Sequence, residues 1–202
     1  MISRSESAAA TRSALLAAAT DLLDDGGPDA VTLRGVGARA GVTRGAPYRH
    51  FADKESLLIA IGVQAWDRVA DQMAALRAAP DLSTRRKLKA GLMGMVDIGR
   101  TRPHLYRLMF SRPPGDPDAL ARAAQRSQTD FLAIIADLVG EAESRHYGAL
   151  LIASAGGIAG MEVGNQLADP KWGGTTAEDL IATLVDRIAG GEEERTPDTG
   201  RR

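Results

Sequence analysis

The stretch "GVTRGAPYRHFADKE", Gly41 to Glu55, decides how the chain is read. Its spacing predicts a short helix with Thr43 as N-cap, running to about His50, and a further helix capped by Asp53. Gly45 and Pro47 fall inside the first of these. With Thr43 as N-cap, Pro47 is the fourth helical position and removes only the bond back to the Thr43 carbonyl. The proline ring still disfavours a helical Ala46. The helix is therefore expected to be held by packing of Tyr48 and Phe51 rather than by propensity.

Working back from Gly41, Thr32 is a good N-cap for a helix that carries Leu33, Val36 and Ala40 at helical spacing. Gly41 can take the left-handed conformation that a tight turn needs, and Val36, Val42 and Phe51 can fill the space between two helices. This is a helix-turn-helix pattern, whose second helix would lie in a DNA major groove. Charge agrees with it. The chain has 25 basic and 26 acidic side chains and a net charge of -1, so any attraction for nucleic acid must be local. Between Ala30 and Ala52 stand Arg34, Arg39, Arg44 and Arg49 with no acidic residue.

Residues 11 to 58, "TRSALLAAATDLLDDGGPDAVTLRGVGARAGVTRGAPYRHFADKESLL", resemble the N-terminal DNA-binding domain of the TetR/AcrR family of bacterial transcription regulators. The string "AGVTRGAPYRHFADKESLL" carries the resemblance most strongly, and "PHLYRLMF", residues 103 to 110, is similar to a stretch of some TetR-like ligand-binding domains. The resemblance implies that Thr43, Tyr48 and His50 touch phosphates, that Lys54 reaches the backbone, and that Arg44 reads bases. These roles suit the groups: hydroxyls and phenols donate single hydrogen bonds to phosphate, whereas arginine can fork onto guanine O6 and N7. Arg34 and Arg49 either contact the backbone or face water. Thr32, Gly45 and Ala46 complete the candidate DNA-facing set. TetR-like sequences more often carry a bulky aliphatic residue where Pro47 stands.

The remaining chain reads as all-α, since Ala, Leu and Arg dominate and strand-like alternation is nearly absent. A first helix spans about 8 to 25 and stops at Gly26-Gly27-Pro28. The helix after Asp53 carries apolar positions Leu57, Ile61, Ala65, Val69, Met73 and Leu76 as far as Pro80. At 1.5 Å per residue it is about 36 Å long, enough to belong to two bodies. Further helices are expected near 83 to 100, 103 to 111, 117 to 140, 143 to 168 and 176 to 189. The division that follows is a DNA-binding domain at 1–55, a ligand-binding and dimerisation domain at 56–190, and a disordered tail at 191–202.

Zero cysteines exclude disulfides and thiolate metal sites, which suits a reducing cytoplasm. The longest apolar run, Gly148 to Met161, has 14 residues against the roughly 20 that span a membrane. Gly35-Val-Gly37-Ala-Arg-Ala-Gly41 superficially matches a dinucleotide loop, but its spacing is one residue too long and no βαβ unit surrounds it. His50, His104 and His146 form no metal motif, and no nucleophile elbow or phosphate loop is present. No enzyme, cofactor or metal is called for.

Gly156, Gly160 and Gly164 recur every four residues, extended by Ala149 and Ala153, so a second helix could approach closely. Its owner is either another copy of the chain or another part of the same one. Leu180, Leu184 and Ile188 lie on a broad apolar face of the last helix. In TetR-like proteins the last two long helices form a four-helix dimer bundle, and the resemblance implies the same surface here. Trp66, Met93, Tyr106, Met109, Phe110 and Phe131 either line an adaptable apolar pocket or form ordinary core, and His104 either orients a polar group or sits at the surface. The expected protein is a cytoplasmic homodimeric regulator, a repressor that releases a pseudo-palindromic DNA operator when a small molecule binds. The rival reading is a ligand-binding or carrier protein whose helix-turn-helix is not used.

Overall fold

The computed structural model describes residues 4–190. These form nine α-helices and one 3₁₀ turn: α1 (Arg4–Ala30), α2 (Leu33–Arg39), α3 (Ala46–His50), α4 (Lys54–Ala78), α5 (Thr84–Thr101), α6 (Pro103–Met109), α7 (Ala119–Val139), α8 (Glu141–Val163), the 3₁₀ turn Pro170–Trp172, and α9 (Ala177–Gly190). The described chain is all-α, as the composition implies. The expected tail after Gly190 lies outside the described residues.

The helices gather into two compact units. The first takes the described residues up to Arg68 together with Arg102–Gln125; the second takes Val69–Thr101 and the described residues from Arg126 onward. α4 and α7 each run through both. The helix-turn-helix thus shares its unit with the first half of α4, with α6 and with the start of α7, segments that the sequence reading gave to the C-terminal body.

In the first unit α1 packs on α2, α3 and α6. Leu15, Leu23, Val31, Val36 and Leu57 are fully buried there, each such aliphatic side chain contributing about 1.5–3 kcal/mol by its removal from water. α1 is two helical segments joined at a break. Gly26 (φ -150°) and Gly27 (φ 71°) leave the helical region, and Pro28 opens the last turn. Gly27 is needed twice over: its φ suits glycine, and a Cβ there would lie 2.9 Å from the His104 ring of α6. Beside it, Arg102 donates from Nε and Nη2 to Oδ2 of Asp24 at 2.9 and 2.8 Å.

α4 begins on a reciprocal cap. The Ser56 N–H donates to Asp53 Oδ1 at 2.7 Å and the Asp53 N–H to Ser56 Oγ at 3.2 Å. The Ser56 N–H first, and then its hydroxyl, hold the Asp53 carboxyl below its ordinary value of 3.8. A lowered folded value stabilises the fold above the ordinary value and loses that contribution as pH falls through the folded one. The melting-temperature gap between wild type and Asp53→Ala should accordingly be constant near neutrality and close as pH drops below 3.8.

In the second unit α5 packs against α8 and α9, and α8 against α9. Leu88, Leu92, Val96, Leu151, Ala155, Ile181 and Val185 are at most 1% exposed and form its centre. α8 ends at Val163 rather than near 168, because Gly164 caps it and Asn165 turns to positive φ (52°). The second half of α4 is tied to α7 by ion pairs of Asp71 with Arg126 and of Arg77 with Asp130, both at 2.9 Å.

Candidate nucleic-acid interface

Thr32 caps α2 as its sequence suggests: extended, with Oγ1 accepting from the Gly35 N–H at 3.1 Å. Such a cap is worth about 1 kcal/mol. Gly35 matters because a Cβ there would crowd Thr32 Oγ1 at 2.9 Å. The helix closes at Ala40, Gly41 turns at φ 67°, and the Val42 N–H returns to the Gly37 carbonyl at 3.1 Å. The glycines that superficially suggested a dinucleotide loop thus serve a cap, a turn and, at Gly37, a close helix contact.

α3 differs from expectation. It starts at Ala46, with Gly45 as N-cap and no side-chain cap, so Thr43 is not the capping residue. The cause is Pro47. A helix capped at Thr43 would direct the residue-47 N–H to the Thr43 carbonyl, and proline has none. Instead the Ala46 N–H closes a turn on the Thr43 carbonyl at 2.9 Å, and Pro47 becomes the second helical residue, where no donor is missed. Ala46 and Pro47 are both buried. Ala46, placed in the DNA-facing set, therefore turns its side chain inward. Pro47 takes the core position: a Cβ on Gly37 would be 2.7 Å from its Cγ. α2 and α3 approach through this glycine–proline contact, with Val36 and Phe51 buried around it and Val42 half-buried.

The other candidates are exposed or half-buried. Tyr48 is 58% exposed, an unusual position for a large aromatic unless its phenol has a partner outside the chain. Thr43, Arg34, Arg44, Gly45 and Arg49 are exposed and His50 half-buried. The side chains of Arg34, Arg44 and Arg49 have no ion pair or hydrogen bond among the described residues. Arg39 is different: it pairs with Asp25 at 3.0 Å and Asp21 at 3.7 Å on α1. Lys54 lies 3.8 Å from Asp29, both solvent-exposed, a contact worth too little to withhold its ammonium from a phosphate. Arg34, Arg44 and Arg49 are thus unneutralised among the described residues, while Arg39, paired with α1, is compensated.

Residues 15–61 match the family model for bacterial regulatory proteins of the tetR family, and residues 88–188 match that of the tetracyclin repressor-like C-terminal domain. The chain belongs to the TetR family. No curated protein is matched. Solved structures share the fold: a transcriptional regulator from Rhodococcus sp. Rha1 is 21% identical with a TM-score of 0.70, covering 89% of this chain and 96% of that one. A TetR-family transcriptional regulator from Streptomyces coelicolor is 23% identical with a TM-score of 0.62, covering 94% and 99%. SmeT, in complex with triclosan, is 20% identical with a TM-score of 0.57, covering 90% and 91%.

Away from the helix-turn-helix, this TetR-family chain brings some of the other candidates together. Trp66, Tyr106 and Phe110 form one cluster, with Phe110 5.3 Å from Trp66 edge-on and 5.0 Å from Tyr106. Trp66 Nε1 donates to the buried Met109 carbonyl at 3.1 Å. Burial raises the Tyr106 phenol above its ordinary value, so it stays a neutral hydrogen-bonding group near neutrality. His104 is not in this cluster; its ring is placed against Gly27. Met93, half-buried on α5, and Phe131, buried on α7, belong to the second unit.

On α8, Ala149, Ala153 and Gly160 are exposed, Gly156 is half-buried, and Leu150, Ile152 and Val163 are exposed beside them. Among the described residues nothing comes within 4 Å of a Cβ built on Gly160, so packing against them does not account for this glycine. Gly164 lies at the C-cap instead of within the helix. On α9, Leu180 and Leu184 are half-buried, but Ile188 is buried with Ile181 and Val185 within its own unit and is no surface residue. Its position on the broad apolar face did not show which edge of that face turns inward.

Proposed function

We propose that this TetR-family protein is a ligand-responsive homodimeric repressor that releases a pseudo-palindromic operator when a small molecule binds. The observation that carries the DNA-binding part is that Arg34, Arg44 and Arg49 are exposed without an acidic partner among the described residues, with Tyr48 exposed on α3 between them in sequence. Arg44, just before α3, is the base reader; Thr43, Tyr48, His50 and Lys54 hold phosphates and set the register. Dimerisation uses the small-residue face of α8, with Leu180 and Leu184 of α9 beside it. From Gly148 to Met161 α8 carries no charged residue on any side, and a helical stretch apolar all round is normally buried all round.

The Trp66–Tyr106–Phe110 cluster is the proposed effector side, suited to an apolar or aromatic molecule. SmeT, which shares the fold, holds triclosan. Release requires the effector to favour the state in which the recognition helices are wrongly spaced, since a ligand shifts an equilibrium only by its differential affinity. α4, continuous from the cap beside α3 into the second unit, is the lever. Arg44→Ala should cost about 1–3 kcal/mol on the operator and relax base preference at one position per half-site. Tyr48→Phe should weaken all sequences alike. Titrating both variants against operator and scrambled duplexes separates these roles, and unchanged affinity and preference in Arg44→Ala would remove the base-reading assignment.

A further inference from the structure

The structure assigns a further DNA contact to Arg12 of α1, a phosphate clamp set in place by Phe51; it rests on the DNA-binding reading above. The Arg12 guanidinium lies over the Phe51 ring, 5.3 Å from its centroid. Phe51 is the C-cap of α3 and is itself only 4% exposed, so the ring is a fixed support at the end of the recognition helix. Arg12 is exposed. It has no carboxylate or carbonyl partner among the described residues, and a phenyl ring supplies no acceptor oxygen for its five N–H donors. Of the carboxylates of α1, Glu6 stands six residues before Arg12, about 9 Å along the helix, and Asp21 nine residues after it, about 13.5 Å. Asp24 and Asp25 are occupied by Arg102 and Arg39.

Arg12 therefore joins Arg34, Arg44 and Arg49 as a free guanidinium of the helix-turn-helix unit, but from a different helix and next to the C-terminal end of α3. A recognition helix seated in a groove is flanked by phosphates, and a planar guanidinium suits a phosphate oxygen pair. The assigned role is uniform affinity and seating of the helix, without base preference.

The test is equilibrium binding of the full chain to a duplex from the region flanking its own gene and to a random duplex, over about 50 to 200 mM salt. Arg12→Met keeps an apolar stem over Phe51 without the charge, and should melt like wild type. Its log-affinity against log-salt slope should fall by about 0.9 per protomer, with a several-fold weakening shared by both duplexes. Arg12→Lys should restore the slope. Should the methionine variant fail to fold, Arg12→Gln carries the same expectation. A wild-type slope in a folded, uncharged variant would overturn the clamp and leave Arg12 as a cover for Phe51. Absence of salt-dependent binding by wild type itself would instead remove the DNA-binding reading, and the clamp with it.

Discussion

Gly37→Ala should displace the recognition helix and lower the stability of the first unit by about 1–3 kcal/mol, the usual cost of overfilling a packed contact. The added methyl would stand 2.7 Å from Pro47 Cγ and 3.4 Å from Cδ. A flexible side chain could swing away from such a clash, but the pyrrolidine ring has no such freedom and Pro47 is buried. α3 has five residues and no side-chain cap, so little besides packing holds it in place. Its displacement carries Arg44 and Tyr48 with it, and operator affinity should fall by about a hundredfold, as misplacing a multi-contact helix costs two or more contacts of about 1–3 kcal/mol each. Chemical denaturation and operator titration check both effects. Pro47→Ala in the same chain should recover part of the stability, since neighbours in direct contact do not add. Wild-type stability in Gly37→Ala would show that the two helices are not held at this contact.

Gly160→Leu should turn the dimer into a folded monomer. Among the described residues nothing obstructs a side chain at Gly160, and leucine favours the helix more than glycine by about 0.8 kcal/mol, so the protomer should lose no stability. A bulky side chain on the small-residue face blocks close approach of a second α8. Without its partner the protein contacts one half-site and forfeits roughly half of its binding free energy, a loss of several decades in operator affinity. Gly148 of the same helix gives the contrast. A Cβ there would lie 2.8 Å from Leu132 Cδ2, so Gly148→Leu should destabilise the protomer. Sedimentation and thermal melting of the two variants should give opposite patterns, and an intact dimer in Gly160→Leu would take α8 out of the interface.

Much of this was legible because it is local. Thr32, Gly41, Asp53 and the Gly26-Gly27 break act through neighbours within four residues, and the structure has each where its chemistry puts it. The start of α3 was misplaced because two local signals compete at Thr43: its hydroxyl favours a cap, and the missing N–H of Pro47 favours a turn. Five helical residues are too few for periodicity to show that Ala46 faces inward. Contacts between distant segments left no local trace: Gly37 on Pro47, Arg102 on Asp24, His104 on Gly27, Arg12 on Phe51. Ile188 was unreadable for a related reason, since an apolar helix face does not say whether its own chain or a partner covers it.

The most direct test of the central claim is a footprint of the purified protein on DNA flanking its own gene. The account predicts two protected half-sites related by a two-fold axis, one helical turn or a multiple of it apart, with protection lost as salt rises and Arg44→Ala weakening both halves equally. Uniform, sequence-independent protection, or none at low salt, would contradict it.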